Sequence, residues 1–180
     1  GVDPSFVIGA NVDQLNGGSG VGSGSHLIAE ACEYDRSFLN LHPQVATILN
    51  VEEDHLDYYR DLEEILQTFG TFVSQIRPGG TLIVNGEDVN IAKVLNRYPD
   101  TKAETFGLKP RCLWRAENLT LCGGSYQFDV YHDHQLLGNC HLQLPGVHNV
   151  YNALAAIAIA RHCGVEPQDI FQTLGRFQGA

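Results

Sequence analysis

Two short runs, Gln44-Val45-Ala46-Thr47-Ile48-Leu49-Asn50 and Thr81-Leu82-Ile83-Val84-Asn85, are apolar almost throughout and stand on either side of an amphipathic stretch. A strand that is apolar on both faces belongs in a parallel sheet covered by helices on both sides. The stretch between them, from Asp61 to about Gln75, places Leu62, Ile65, Leu66, Phe69 and Phe72/Val73 at helical i, i+3, i+4 spacing, with Asp61 as its cap. Pro78-Gly79-Gly80 makes the turn into the second strand. Asp88 to Asn96 predicts a short helix with Ile91, Val94 and Leu95 inward, and Ala103-Glu104-Thr105-Phe106-Gly107 a further strand. Strand–helix–strand–helix–strand requires right-handed crossovers. The fold class is therefore α/β, with a mainly parallel sheet flanked by helices.

The flanks differ in character. Ahead of the core lie a short strand at Phe6-Val7-Ile8, a glycine-rich segment from Gly17 to Gly24 too poor in apolar residues to fold by itself, and a strand at His26–Ala31. Behind it, Trp114 to Leu121, Ser125 to Tyr131 and Gln135 to Leu144 alternate polar with apolar, which predicts a small antiparallel β appendage. Asn149 to His162 is the clearest helix, its alanines allowing close approach to a sheet, and Gly164 ends it. Pro167 to Phe177 makes a last short helix. With no repeat and no long linker, residues 1–180 read as one domain.

Composition excludes several classes. No apolar run approaches the roughly 18 residues of a membrane span, and the start Gly1-Val2-Asp3-Pro4 has no signal-peptide pattern. The net charge of −10 and the lack of a basic stripe argue against a nucleic-acid partner. Five cysteines without a CxxC pair fit reduced thiols in the cytoplasm. The chain contains no Met, so it reads as a piece or a processed form of a longer protein. The sequence specifies no oligomeric state.

Between Glu30 and Glu64 lie ten carboxylates and two arginines. They are a solvated acidic face, or a site that needs divalent cations to accept an anionic substrate. The glycine run is not a phosphate loop, since GxxxxGK[ST] needs a Lys that is missing here. Glu30 closes one predicted strand and His55, in Asn50-Val51-Glu52-Glu53-Asp54-His55-Leu56-Asp57, follows the next, so two adjacent strands are expected to deliver both to the same rim. Ligands of open α/β sheets gather at carboxyl ends of strands. There a carboxylate offers Mg²⁺ a hard oxygen, and flanking aspartates would hold the imidazole in one tautomer. In Gly146-Val147-His148-Asn149-Val150-Tyr151-Asn152, both asparagines can face one side of a first helical turn. A carboxamide matches an adenine edge, while Asn149 is equally a good N-cap, leaving Asn152 the better adenine contact. His132-Asp133-His134 reads as a solvated hairpin turn, and no Ser/His/Asp or Cys/His nucleophile arrangement is present.

Taken together, the strand ending in Glu30, the Glu53-Asp54-His55-Leu56-Asp57 run and the His148-Asn149-x-x-Asn152 start resemble the Mur ligases, ATP-dependent amino-acid ligases of peptidoglycan synthesis. The resemblance covers essentially the whole chain. It implies the family's central, ATP-binding domain, with Glu30 and His55 as catalytic Mg²⁺-site residues, and Asn149 and Asn152, with His148, beside the adenine. It also implies ATP phosphorylating a substrate carboxylate and an amine attacking the acyl phosphate. The run Ala29–Leu39 is most similar to the branch that joins L-alanine to UDP-N-acetylmuramic acid. Some members use a carbamylated lysine, and no Lys lies between His55 and Gln75. The family's Gly-Lys-Thr/Ser loop is expected before residue 1 and its C-terminal domain after Ala180, so the isolated chain is expected to be inactive. A peptide-recycling ligase and a non-catalytic nucleotide-binding module are the alternatives.

Overall fold

A computed structural model describes residues 2–179; Gly1 and Ala180, the ends of the expected start and hinge segments, lie outside the described residues. The chain runs β1 (Ser5–Val12), β2 (Gly17–Gly20), β3 (Leu27–Ala29), β4 (Val45–Ile48), α1 (Leu62–Ser74), β5 (Thr81–Asn85), α2 (Val89–Arg97) and β6 (Ala103–Gly107). It continues through β7 (Trp114–Cys122), β8 (Ser125–His132), β9 (Gln135–Pro145), α3 (His148–His162) and α4 (Pro167–Leu174). No helix among the described residues is long and apolar enough to cross a membrane.

The main sheet has the order β4-β5-β6-β7-β8-β9. Its first three pairings are parallel and its last two antiparallel. The α/β class and the flanked, mainly parallel sheet are as expected. The antiparallel strands, however, extend that sheet: Phe106 and Gly107 pair in parallel with Trp114 and Arg115, and the meander grows from that edge.

Strand alternation explains the layers. Within β5, buried at its first four residues, Ile83 faces one cluster with Phe106, Phe128, Leu154 and Ile157, while Leu82 and Val84 face the other with Ile65, Phe72 and Ile91. Helix α3 therefore covers one face and α1 with α2 the other. The cap of α1 is Asp61, whose carboxylate accepts from Glu64 N at 2.9 Å, and Asp88 caps α2 through Asn90 N and Ile91 N. Such caps are each worth about 1 kcal/mol. Gly164, at φ 77°, closes α3 in the left-handed region where other residues are strained.

Two expectations are corrected. The glycine segment, expected to be too poor in apolar residues to fold by itself, takes part in a sheet: Gly17–Gly20 forms β2, antiparallel to β1. Glycine lacks a Cβ, and at Gly18 a Cβ would meet the carbonyl oxygens of Ile8 and Ala10, so bare backbone permits the approach. The strand before Glu30 is not a neighbour of β4. It pairs in parallel with β1 in a separate three-stranded sheet, β2-β1-β3. Its three residues are all exposed, so hydrophobicity alone could not say which sheet it would join.

Candidate functional site

The carboxyl ends of β4, β5 and β6 form one rim, because the three strands are parallel. From β4 the chain continues through Val51, whose N–H donates to the Asp88 carboxylate and whose carbonyl accepts from Asn90 Nδ2. These bonds fasten the β4 loop to the first turn of α2. Four residues later His55 adopts the left-handed conformation, φ 54°. Its N–H donates to Asp54 Oδ1, and its carbonyl accepts from Tyr58 N and Tyr59 N, both at 2.8 Å. Its ring faces Tyr34 edge-on at 5.2 Å.

The carboxylate that meets this imidazole comes from elsewhere in the chain. Glu33 Oε1 lies 3.2 Å from His55 Nε2, whereas Asp54 stands 3.9 Å away and Asp57 accepts instead from the Tyr34 hydroxyl. Glu33 is itself tied down, since the buried Tyr59 hydroxyl donates to its carbonyl. Burial pushes the Tyr59 phenol above its ordinary value, against the opposing charge of Arg36, so the donor keeps its proton. Glu30 points another way: its Oε2 accepts from Gly9 N at 2.7 Å. The structure thus joins His55 to Glu33, and gives Glu30 a separate partner.

Behind this pair the chain turns through Tyr34–Asn40, where Asp35 and Arg36 are also left-handed. Phe38 anchors that segment by stacking on Phe72 at 4.8 Å. Arg36 reaches Glu64 on α1 and lies over the rings of Tyr58 and Tyr59. Left-handed non-glycine residues survive only where surrounding contacts over-determine them.

At the other end of the rim stands α3. Glu87, just past β5, accepts from Leu108 N and Lys109 N beyond β6. Its carboxylate also faces Tyr151, whose phenol is pushed up by burial and then by the Glu87 charge. This contact brings the first turn of α3 to the same rim as His55. A Cβ at Gly107 would fall within 2.5 Å of Glu87 Oε1, so glycine makes room for that carboxylate.

On the opposite side of α3, Asn149, Asn152, Ala153 and Ala156 line a cavity of about 230 Å³ with Leu142, Leu144 and Phe177. Ligand pockets generally span roughly 300–1,000 Å³, so this one suits a flat ring better than a whole nucleotide. Asn149 is not the N-cap, a position taken by Val147 without a side-chain bond. Its Nδ2 donates back to the Pro145 carbonyl at 2.7 Å, which ties the side chain to the end of β9. Asn152 is exposed and makes only a 3.4 Å bond to Asn149 Oδ1, so its amide is available. His148 is exposed and outside that lining, its ring folded over Gly146. A larger cavity of about 440 Å³ opens by Arg77, Arg97 and Lys102 and contains none of these residues.

For Mg²⁺ the chain offers a carboxylate from Glu30, which follows β3 of the small sheet, and the His55 imidazole past β4, with Glu33 already paired to that imidazole. Among the described residues no group of three or more His, Cys, Asp or Glu could hold a metal. Mg²⁺ needs only one or two carboxylates when substrate phosphates and waters complete its shell, and of the exposed Glu30 carboxylate only Oε2 accepts a hydrogen bond among the described residues.

The family model for the Mur ligase middle domain matches residues 23–160. This chain is a member of the Mur ligase family. It is 40% identical over 179 residues to the UDP-N-acetylmuramate–L-alanine ligase of Caldicellulosiruptor bescii, covering 99% of this chain and 39% of that protein. The enzyme of the same name from Clostridium acetobutylicum is 39% identical over the same span, again 39% of its length. This Mur ligase chain thus spans about two fifths of the curated relatives it matches. Among solved structures, the UDP-N-acetylmuramate:L-alanyl-γ-D-glutamyl-meso-diaminopimelate ligase of Neisseria meningitides aligns with TM-score 0.88 and 29% identity, over 100% of this chain and 59% of that one. The UDP-N-acetylmuramate–alanine ligase MurC of Thermotoga maritima aligns with TM-score 0.82 over 99% of this chain and 39% of that one. At 23% identity it is a likeness of fold.

Glu33, Tyr59 and Glu87 were not singled out by sequence. Glu33 was visible only as one acid among ten, and a partner 22 residues away leaves no local pattern.

Proposed function

We propose that this chain is the ATP-binding middle part of a ligase that joins L-alanine to UDP-N-acetylmuramic acid in the cytoplasm. The observation that carries the reading is the pairing of His55 with Glu33 just past the carboxyl end of β4, in a chain whose residues 23–160 match the Mur ligase middle domain. In this reading Asn152 hydrogen-bonds the adenine edge and the apolar walls of the cavity sandwich its faces. Glu30 and His55 would hold Mg²⁺ with the phosphates. When bound, Mg²⁺ neutralises charge on the phosphoryl oxygens in the transition state. The chain's own residues supply placement, which in phosphoryl transfer accounts for most of the catalysis. A carboxylate of the muramic acid would take the γ-phosphoryl group, and the alanine amine would then displace phosphate.

Alanine as acceptor is supported by the names of relatives 38–40% identical along the whole chain, such as those above and that of Alkaliphilus metalliredigens. The peptide-ligase alternative is not favoured, because the curated relatives at 37–40% identity, such as those of Caldicellulosiruptor bescii and Clostridium novyi, carry the alanine-ligase name. By itself the 180-residue chain is expected to be inactive, since no segment matches the lysine-bearing phosphate loop. The test is phosphate release by the full-length protein given ATP, Mg²⁺ and UDP-N-acetylmuramic acid. Release should depend on L-alanine. Faster release with the tripeptide, or none with alanine, overturns the reading.

A further inference from the structure

We propose that Glu33 is a positioning residue for His55: its carboxylate takes the Nε2–H in a hydrogen bond, so the imidazole presents Nδ1 to the bound cation or phosphate. The inference rests on the reading of His55 as a cation-site residue given above.

Three observations converge on it. Both carboxylates near the ring, Glu33 at 3.2 Å and Asp54 at 3.9 Å, sit on its Nε2 side. A neutral imidazole carries one N–H and one lone pair, and the N–H belongs where the acceptors are. Among the described residues nothing hydrogen-bonds Nδ1, so its lone pair is left for a ligand. Finally, the two partners are locked to each other twice. The turn bearing His55 also bears Tyr59, whose hydroxyl holds the Glu33 carbonyl, so backbone and side chain of Glu33 close on one loop.

A histidine that ligates a metal through one nitrogen commonly donates the other N–H to a carboxylate, which fixes tautomer and ring plane. The geometry also divides labour within one segment. Glu30 bonds the small sheet through Gly9, and Glu33, three residues on, bonds the β4 loop of the main sheet. Glu33 thereby links the two halves of the proposed cation site without itself being a ligand.

The test uses full-length protein without Mg²⁺ or ATP at about pH 8, above the range where an ordinary imidazole titrates. Long-range ¹H–¹⁵N spectra of the histidines, with His55→Gln to assign the ring, should show an Nε2 proton protected from exchange and an unprotonated Nδ1. Glu33→Ala should lose that protected proton. Glu33→Gln should keep it, because its amide oxygen still accepts, and so covers the case in which Glu33→Ala fails to fold. In turnover, Glu33→Ala should need ~10–100-fold more Mg²⁺ for half-saturation, the usual loss on removing such a partner, and Glu33→Gln should need less extra Mg²⁺ than that. Protonation at Nδ1, or a Glu33→Ala spectrum identical to wild type, overturns the proposal. An unchanged Mg²⁺ requirement in His55→Ala overturns the cation-site reading of His55 itself. Loss in His55→Ala with none in Glu33→Ala overturns only the role of Glu33.

Discussion

Glu104 and His162 lie 3.1 Å apart, Oε2 to Nε2, and join the last turn of α3 to β6. The same oxygen accepts from Trp114 Nε1 at 2.8 Å, and Trp114 stacks on His132 at 4.0 Å. His132 is therefore packed, whereas its turn neighbours Asp133 and His134 are exposed as expected of a hairpin tip. Burial pushes the Glu104 carboxyl up, but the bonds from Trp114 and His162 and the nearby histidine charges outweigh it, so its pKa falls below the ordinary 4.5.

A depressed carboxylate contributes stability that is fully present above its unfolded value and is lost as pH falls through the folded one. Glu104→Gln should thus lower stability at neutral pH, and with it Tm, by the ~1.5–3 kcal/mol of free energy typical of hydrogen bonds to charged groups. It should also flatten the fall in stability below about pH 4.5. Thermal melts from about pH 3 to 7 check both, and parallel wild-type and variant curves would contradict the assignment.

Substitution at the proposed cation site should separate function from stability. His55 is left-handed, which costs a non-glycine residue about 1–2 kcal/mol. In His55→Gly, relief of that strain offsets glycine's ~0.5–1 kcal/mol entropy loss and the lost Glu33 contact. Tm should stay within about 2 °C while turnover drops by orders of magnitude. Glu30→Ala should likewise cut turnover with little change in Tm, because Glu30 is exposed. A collapse of Tm in either variant would assign a structural role instead.

Asn152→Ala should raise KM for ATP about tenfold, the equivalent of one hydrogen bond at ~1.4 kcal/mol, and leave kcat nearly unchanged. Asn149→Ala should lower Tm instead, since its side chain holds the Pro145 carbonyl. Steady-state kinetics and melts on the two variants distinguish them; equal effects on KM would place both on the adenine.

Thiol labelling reports the fold directly. Cys32 and Cys122 are exposed, Cys112 and Cys140 buried, and all five cysteines free. Burial pushes the Cys140 thiol up to about 12, so it carries almost no thiolate at neutral pH. Iodoacetamide with peptide mass mapping should modify Cys32 and Cys122 early and Cys140 only after denaturation. Early modification of Cys140 would mean that the meander is not packed on α3.

The elements from Val45 to Gly107, and α3, could be read from the chain because each carries a local signature: continuous apolarity in β4 and β5, helical spacing in α1 and α2, and an alanine-rich run closed by Gly164 in α3. Continuous apolarity in β5, buried on both faces, and helical spacing in α1, buried on one, are local consequences of which faces are buried. Asp61 and Asp88 marked helix starts because a cap acts within three residues. Resemblance likewise located the rim loops, since the residues around His55 and Asn152 form contiguous motifs. Tertiary structure alone decided that the strand before Glu30 leaves the main sheet, that the meander continues it, and that Glu33 rather than Asp57 meets His55. None of these has a local signature. An exposed three-residue strand is equally compatible with either sheet, and a carboxylate's partner is set by where two distant loops converge. Local pattern chose the elements; convergence of the loops chose the site's partners.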